Sequence, residues 1–409
     1  MQEVASNIGP MRSTERAIGN PQAQGGASGA VPLEKVRDAA SQELTKRTPG
    51  PVRAPRSAGK LILMRVLLLA LVVSLGLLGL EVMARVIYNR NGMHFGIEMW
   101  KYAKTLKTPS TNPEMGHEHT PNREAFLMGV PVKINSAGLR DREFGISKPR
   151  DTFRVLVLGD SITFGWGVQQ EKTFAKLLEN KLNEKPPPGW PTHFEVINAG
   201  VGNYNTAQEV AYFKERGRLY RPDMVILAFF INDAEPTPRQ ETSWLAQRSC
   251  LYVFVSSFWD EILRLLHLRA NYRDYYRSLY QDGAPGWMAC QRAFRELMAL
   301  CRGEHIDLRI AIIPELHSIG ADYEFQDVSL LVQSVAKDGR VPVIDLLDGI
   351  SPGDPPSLWV SPGDAHPNAR AMEMFATQLN ESVRTRTAGG DDPRVEPQKS
   401  LCRSSGFPA

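Results

Sequence analysis

From residue 61 to residue 80 the chain reads Leu-Ile-Leu-Met-Arg-Val-Leu-Leu-Leu-Ala-Leu-Val-Val-Ser-Leu-Gly-Leu-Leu-Gly-Leu, with Arg65 its only charge, and apolar residues continue past Glu81 to Tyr88. About twenty such residues in a helix cover a bilayer core of roughly 30 Å. A helix apolar on every face has no solvated side to present in a soluble domain. The pattern predicts a single membrane helix over 61–88. A cleaved signal peptide is the rival reading, but no small-x-small site follows the run, and Glu81-Val-Met-Ala-Arg85 is a poor substitute. An uncleaved signal anchor is expected. Arg53, Arg56, Lys60 and Arg65 flank its N-terminal side against Arg85 and Arg90 on the other. That bias puts the N-terminus in the cytoplasm and the bulk of the chain outside it, in the periplasm or at the cell surface.

The rest of the chain is not uniform. Residues 1–60 carry Gly, Ser, Pro, Ala and Gln without an apolar period and read as a disordered tail. Met64-Arg65 reads as a natural start for a signal anchor, which would make residues 1–63 an extension. Residues 89–151 are polar and punctuated by Pro and Gly, which predicts a linker or N-terminal extension. From residue 152 apolar runs of strand length alternate with helical periods. The runs are 153–158, 194–197, 224–230, 308–313 and 341–346; the helical stretches are 171–184, 205–219, 286–303, 325–337 and one after Pro367. Near-continuous apolar strands between helices predict a parallel sheet covered on both faces. The expected domain, 152–386, is a doubly wound, flavodoxin-like α/β fold with a five-stranded parallel sheet. The segment 387–409 reads as a second disordered tail.

Composition narrows the function classes. A chain of 409 residues at 42% hydrophobic and 23% charged is neither disordered as a whole nor collagenous. Its net charge of +3 is too balanced for a dedicated nucleic-acid binder. Four cysteines exclude a disulfide scaffold and a four-cysteine zinc site with paired C-x-x-C spacing. Cys290 and Cys301 fall on one predicted helix, roughly 16 Å apart, beyond the about 7 Å a bridge requires. His117-Glu-His119 has the look of a metal pair, but no third ligand has supporting spacing, and a solvated loop is expected there. No P-loop or dinucleotide fingerprint occurs, so no cofactor is implied.

Ligands of doubly wound sheets bind at the carboxyl ends of the strands, and four segments there carry chemistry. The first strand runs into Gly159-Asp-Ser161-Ile-Thr-Phe-Gly-Trp-Gly. A serine at that junction holds its hydroxyl at the sheet edge, beside the free N–H groups of a helix start. The second strand ends at Asn198-Ala-Gly200, where the absence of a Cβ allows a backbone N–H to approach a ligand. The third ends at Phe230-Ile-Asn232-Asp233; an Asn side chain can donate to a developing oxyanion. After the fifth comes Asp364-Ala-His366-Pro367. Pro367 in a first helical turn places His366 near the N-cap of the last helix, with Asp364 able to orient its Nδ1.

Gly159-Asp-Ser161-Ile, Gly200, Asn232-Asp233 and Asp364-x-His366-Pro, in this order, resemble the four blocks of the SGNH (GDSL) hydrolase superfamily. Arg221-Pro-Asp-Met-Val-Ile-Leu before the Asn block is similar as well. Two positions depart from the pattern: Phe230 stands where Gly usually precedes the Asn by two residues, and one residue instead of two separates Asp364 from His366. The anchor and Asn135-Ser-Ala-Gly-Leu-Arg140 resemble a membrane-tethered bacterial subgroup. The resemblance implies an acyl-enzyme on Ser161, with His366 as general base and Asp364 orienting it. The Ser161 and Gly200 N–H groups and the Asn232 side chain would form the oxyanion hole. The expectation is a membrane-anchored, extracytoplasmic serine esterase acting on small acyl esters, such as O-acetyl groups of glycans, with lipid or thioester acyl groups also open. The alternatives are an O-acyltransferase using the same acyl-enzyme and a non-catalytic envelope scaffold. Residues 235–285, rich in Trp, Tyr, Phe and Leu, form an insertion that either packs on the scaffold or caps the acyl pocket. Glu315 and His317, after the fourth strand, are expected as pocket wall.

Overall fold

The computed structural model describes residues 56–88, 95–237 and 244–385, apart from 267, 269, 321 and 352. The expected tails lie outside these residues, except that 56–60 are helical. The chain divides into two units, one ending at Val72 and the other beginning at Val73. α1 (Arg56–Tyr88) is one unbroken helix of 33 residues. It is long and apolar enough to cross a membrane, and its apolar side chains from Leu61 to Leu80 are exposed.

In the second unit come α2 (Phe95–Leu106) and two small antiparallel ladders, β1 (Lys107–Pro109) with β2 (His117–His119), and β3 (Glu124–Leu127) with β4 (Val130–Lys133). β5 (Thr152–Gly159) leads to α3 (Ser161–Phe164) and α4 (Phe174–Glu184), then β6 (His193–Gly200), α5 (Thr206–Glu215) and β7 (Met224–Phe229). The insertion contributes α6 (Trp244–Arg248), α7 (Cys250–Leu265) and α8 (Tyr272–Leu279). α9 (Pro285–Gly303), β8 (Asp307–Ile312), α10 (Gln326–Asp338), β9 (Val343–Asp345), the β10 (Trp359–Ser361) and β11 (Asp364–Pro367) ladder and α11 (Ala369–Arg384) follow.

The sheet has the order β6-β5-β7-β8-β9 and every pairing is parallel, so the doubly wound α/β expectation holds. Alternation along β5 explains why both faces are apolar. Leu156 and Leu158 enter one core with Phe213, Phe294 and Val332, while Val155 and Val157 enter the other with Phe174, Leu178 and Phe375. The chain leaves β5 toward β6 on one side and returns to β7 on the other. That strand-order reversal opens a crevice at the carboxyl end of β5.

Residues 95–151, expected as part of a polar linker or N-terminal extension, hold α2 and the two small ladders. Tyr102, Leu106, Leu127, Val132 and Ile134 form a third core that closes on Phe164 and Trp166. The solvated loop expected at 117–119 is β2, and both histidines are buried. Gly202 N–H donates to Tyr102 Oη at 2.8 Å and that hydroxyl meets His119 Nε2 at 2.7 Å, while His119 Nδ1 lies 3.2 Å from Gly138 O. These partners assign the hydroxyl proton to His119 Nε2 and the ring proton to Nδ1. Burial holds His117 down to about 4 and His119 to about 3, so both are neutral structural groups. Among the described residues no cluster of His, Cys, Asp or Glu is arranged to hold a metal. Cys250, Cys290 and Cys301 are buried free thiols.

Candidate active site

β5 delivers the chain to the sheet edge at Gly159. Asp160 then caps α3 by accepting Ile162 N–H at 2.8 Å. The helix ends after one turn on Gly165, at φ 85°, where an added Cβ would lie 2.3 Å from Thr173 Cγ2. Ser161 is therefore the first helical residue, with its Oγ at the carboxyl edge of the sheet.

Ser161 Oγ lies 2.9 Å from His366 Nε2. His366 was expected near the N-cap of the last helix, with Pro367 in its first turn, but both lie in β11. Pro367 is the last residue of β11 and Asn368 is the true cap, accepting Arg370 N–H at 3.0 Å and Ala371 N–H at 3.2 Å. The extended backbone of β11 also shows how one intervening residue suffices between Asp364 and His366. Residues i and i+2 of a strand face the same side. Asp364 Oδ1 meets His366 Nδ1 at 2.6 Å and accepts the backbone N–H of His366 at 3.1 Å, while its other oxygen accepts the Trp166 indole N–H at 2.9 Å. Burial would raise the Asp364 carboxyl, but the bonds from His366 and Trp166 hold it below the ordinary carboxylate value. An ionised carboxylate only accepts, which assigns the ring proton to Nδ1 and leaves the Nε2 lone pair facing Ser161. Phe95 stacks on the imidazole at 5.5 Å.

The oxyanion side differs from expectation at one residue. Asn232 reaches the cleft, with its Nδ2 donating to Asp160 Oδ2 at 2.9 Å. One amide hydrogen is thus used to hold the side chain and the second is left over. Gly200 does not line the cleft. Its N–H donates to Asn198 Oδ1 at 3.0 Å, and a Cβ there would meet the backbone N of Phe164 at 2.2 Å. Gly200 is a glycine because β6 and α3 touch. The residue brought to the cleft is Asn203, at φ 66°, whose N–H makes no hydrogen bond among the described residues. Lys107 Nζ fixes this turn through Gly202 O at 2.6 Å and Asn203 Oδ1 at 2.8 Å. Asparagine tolerates the left-handed region better than most residues. Nothing in the sequence marks a positive φ at a non-glycine residue, so Asn203 escapes sequence reading. Behind Asn232, burial raises Asp160, and raises Asp233 and Glu209 well above the ordinary carboxylate range.

These groups open on a cleft of about 440 Å³, walled by Phe95, Met99, Tyr272, Tyr276, His317 and Trp359. Glu315 and His317 line it as expected, with Glu315 bonded to both the His317 backbone N–H and Nδ1. Of the insertion, Glu235 and α8 reach the cleft, whereas Trp244 and Tyr252 do not line it. A wider hollow of about 610 Å³ beside β9, lined by Gln333, Lys337 and Asp345, shares none of the described residues with this cleft.

A serine, a histidine and a carboxylate in one hydrogen-bonded chain, at the carboxyl edge of a doubly wound sheet, define the class as a hydrolase with this sheet as scaffold. The profile of the GDSL-like Lipase/Acylhydrolase family matches residues 157–374, more than half of the chain, and the protein belongs to that family. It is an ester-bond hydrolase. Among solved structures, the chain is similar to a lipase from a goat rumen metagenome (14% identity, TM-score 0.39, covering 57% of this chain and 99% of that one). It is also similar to an acetyl xylan esterase (18%, TM-score 0.35, 56% and 100%). A third is a psychrotrophic esterase from Pseudoalteromonas sp. (16%, TM-score 0.34, 56% and 96%). No curated protein matches the chain.

Proposed function

We propose that the protein is a membrane-anchored, extracytoplasmic serine esterase acting on small acyl esters, with O-acetyl groups of glycans as the first candidates. The observation that carries this reading is the chain from Ser161 Oγ through His366 to Asp364, opening on a closely walled cleft. His366 Nε2 takes the Ser161 proton as Oγ bonds to the ester carbonyl carbon. The same proton passes to the leaving alcohol as the ester C–O bond breaks. A water, deprotonated by His366, then releases the acid and restores Ser161. The Ser161 N–H, the Asn203 N–H and the spare Asn232 amide hydrogen stabilise the oxyanion, with Asn203 taking the place expected for Gly200. Rings of Tyr272, Tyr276 and Trp359 offer flat apolar walls suited to a sugar face. α1 is the anchor.

The test is a fluorophosphonate probe on the full chain in detergent, followed by turnover of acetyl, butyryl and octanoyl esters and of acetylated oligosaccharides. Labelling at Ser161 with preference for acetyl is expected. No labelling removes the nucleophile assignment. Passage of acetyl from p-nitrophenyl acetate to an oligosaccharide, in place of hydrolysis, would make the protein an acyltransferase on the same acyl-enzyme.

A further inference from the structure

Among the described residues, the insertion presents an exposed apolar face. On α7, Tyr252, Val255, Trp259, Ile262 and Leu265 are all exposed, Trp259 by 57% and Leu265 by 78%. Their spacing of three and four residues puts them on one side of the helix. The opposite side, with Cys250 and Val253, is buried, and α2 packs against this helix. An exposed apolar strip of this size is costly in water and marks an interaction surface.

What covers it follows from where α7 is fastened. Glu81 comes directly after the twenty-residue apolar run of α1. Its carboxylate accepts Ser249 Oγ–H at 2.8 Å, Cys250 N–H at 3.1 Å and Leu251 N–H at 3.0 Å. Arg85 pairs with Glu81 at 2.7 Å and donates to Arg248 O at 2.8 Å. The first turn of α7 is thus capped by the residue at which α1 would leave the hydrocarbon. Around the same junction, Tyr88 packs on Trp100 at 5.1 Å, Lys104 lies 4.7 Å over the Trp100 ring and Arg248 lies 5.0 Å over Trp244. Trp and Tyr with long cations beside them are the side chains that settle at the headgroup level.

We infer that α7 is a second, interfacial membrane contact: its apolar face lies in the headgroup and acyl boundary of the same phospholipid bilayer that α1 enters. The inference rests on the proposed anchoring by α1. A helix capped at the bilayer surface, with a broad exposed apolar face, buries that face in lipid. The insertion runs on into α8, whose Tyr272 and Tyr276 wall the cleft, so this contact holds the acyl site beside the membrane surface.

The test uses the full chain in nanodiscs of phosphatidylcholine and phosphatidylglycerol, with p-benzoylphenylalanine in place of Trp259, Leu69 or Leu219. Leu219 is as exposed as Trp259 and precedes β7, away from the insertion. Thermal melting of each variant checks that the fold is kept. After irradiation, lipid adducts are expected at 259 and 69 and none above background at 219. Adducts at 69 without adducts at 259 overturn the inference and leave the anchor standing. Crosslinking of 259 to a second copy of the chain also overturns it. Absence of adducts at both 69 and 259 removes the anchor and the inference together.

Discussion

At the scale of residues, the consequences of the site concern which atoms carry function and which only hold them. Ser161→Ala and His366→Ala should each lower kcat by about 10⁴-fold or more, and the double variant should be hardly worse, because such a pair acts as a unit. Steady-state kinetics on a soluble ester measures this, and near-normal turnover by Ser161→Ala would remove the nucleophile. Asn232→Ala should cost about 10²–10³ in kcat, since it removes a donor to the oxyanion. Asn203→Ala should behave otherwise, because the backbone donor remains. Its kcat should stay near normal while stability falls by about 1 kcal/mol from the left-handed backbone. Equal kinetic losses in both variants would show that the Asn203 side chain, not its N–H, matters. His317 gives a pH signature. The hydrogen bond that its ring N–H donates to Glu315 raises its pKa against the opposing effect of burial. The folded state therefore binds this proton more tightly than the unfolded chain. The stability it contributes is full below the ordinary histidine value of about 6.5 and is lost as pH climbs through the raised value. The gap in melting temperature between the wild type and His317→Gln should shrink as pH climbs above about 6.5, and a gap constant with pH would contradict the linkage.

At the scale of elements, α3 is a single turn that cannot hold itself in place. Arg140, fully buried, donates from Nη1 to Phe164 O at 3.1 Å and Gly165 O at 2.5 Å, and from Nη2 to Val168 O at 2.6 Å. Burial lowers its pKa only to about 10, so the guanidinium stays charged. It closes the carbonyls at the end of the turn that begins with Ser161. Arg140→Met should leave the Phe164 and Val168 carbonyls without this partner, while Gly165 O keeps the Val168 N–H, and cost at least about 2 kcal/mol, read from denaturant unfolding. Arg140→Lys should recover part of that loss, and equal stability of Met and Lys variants would show that the bonds contribute little. The motif Asn135-Ser-Ala-Gly-Leu-Arg140 stood out in the sequence, but its role did not, because the partners are backbone atoms without sequence identity. The five sheet strands were legible because strands buried on both faces are mostly apolar, with Arg154, Glu195 and Arg309 as interruptions near their starts. The elements of 95–133 were not, because strands of three or four residues containing His, Glu and Lys carry no period. For the same reason His117 and His119 looked solvated although they are buried. Ser161 and Asn232 stood out because each follows a sheet strand, and Asp364 with His366 because the pair stands just before the last helix. The cap of the last helix was misplaced because Pro367 mimics a first-turn proline, and only the β10–β11 ladder moves the start to Asn368.

At the scale of the whole molecule, the proposed function depends on which side of a membrane the cleft faces. Four basic residues (Arg53, Arg56, Lys60 and Arg65) lie at the N-terminal side of the apolar run and two (Arg85 and Arg90) at the other. Basic residues are retained on the cytoplasmic side. Arg85 is further committed, since its guanidinium bonds Glu81 and Arg248 O within the folded second unit. That commitment leaves the four N-terminal cations to set orientation. Alkaline phosphatase fused after residue 409 should therefore be active in cells, because it folds only where disulfides form. A green fluorescent protein in the same place, exported unfolded, should be dark. Moving the balance should move the outcome: replacing Arg53, Arg56, Lys60 and Arg65 by Gln while adding Lys at Asn89 and Asn91 should raise fluorescence and lower phosphatase activity. A fluorescent, phosphatase-inactive fusion of the unmodified chain would place Ser161 in the cytoplasm, leaving the ester hydrolase intact but removing extracytoplasmic glycan esters from its substrates.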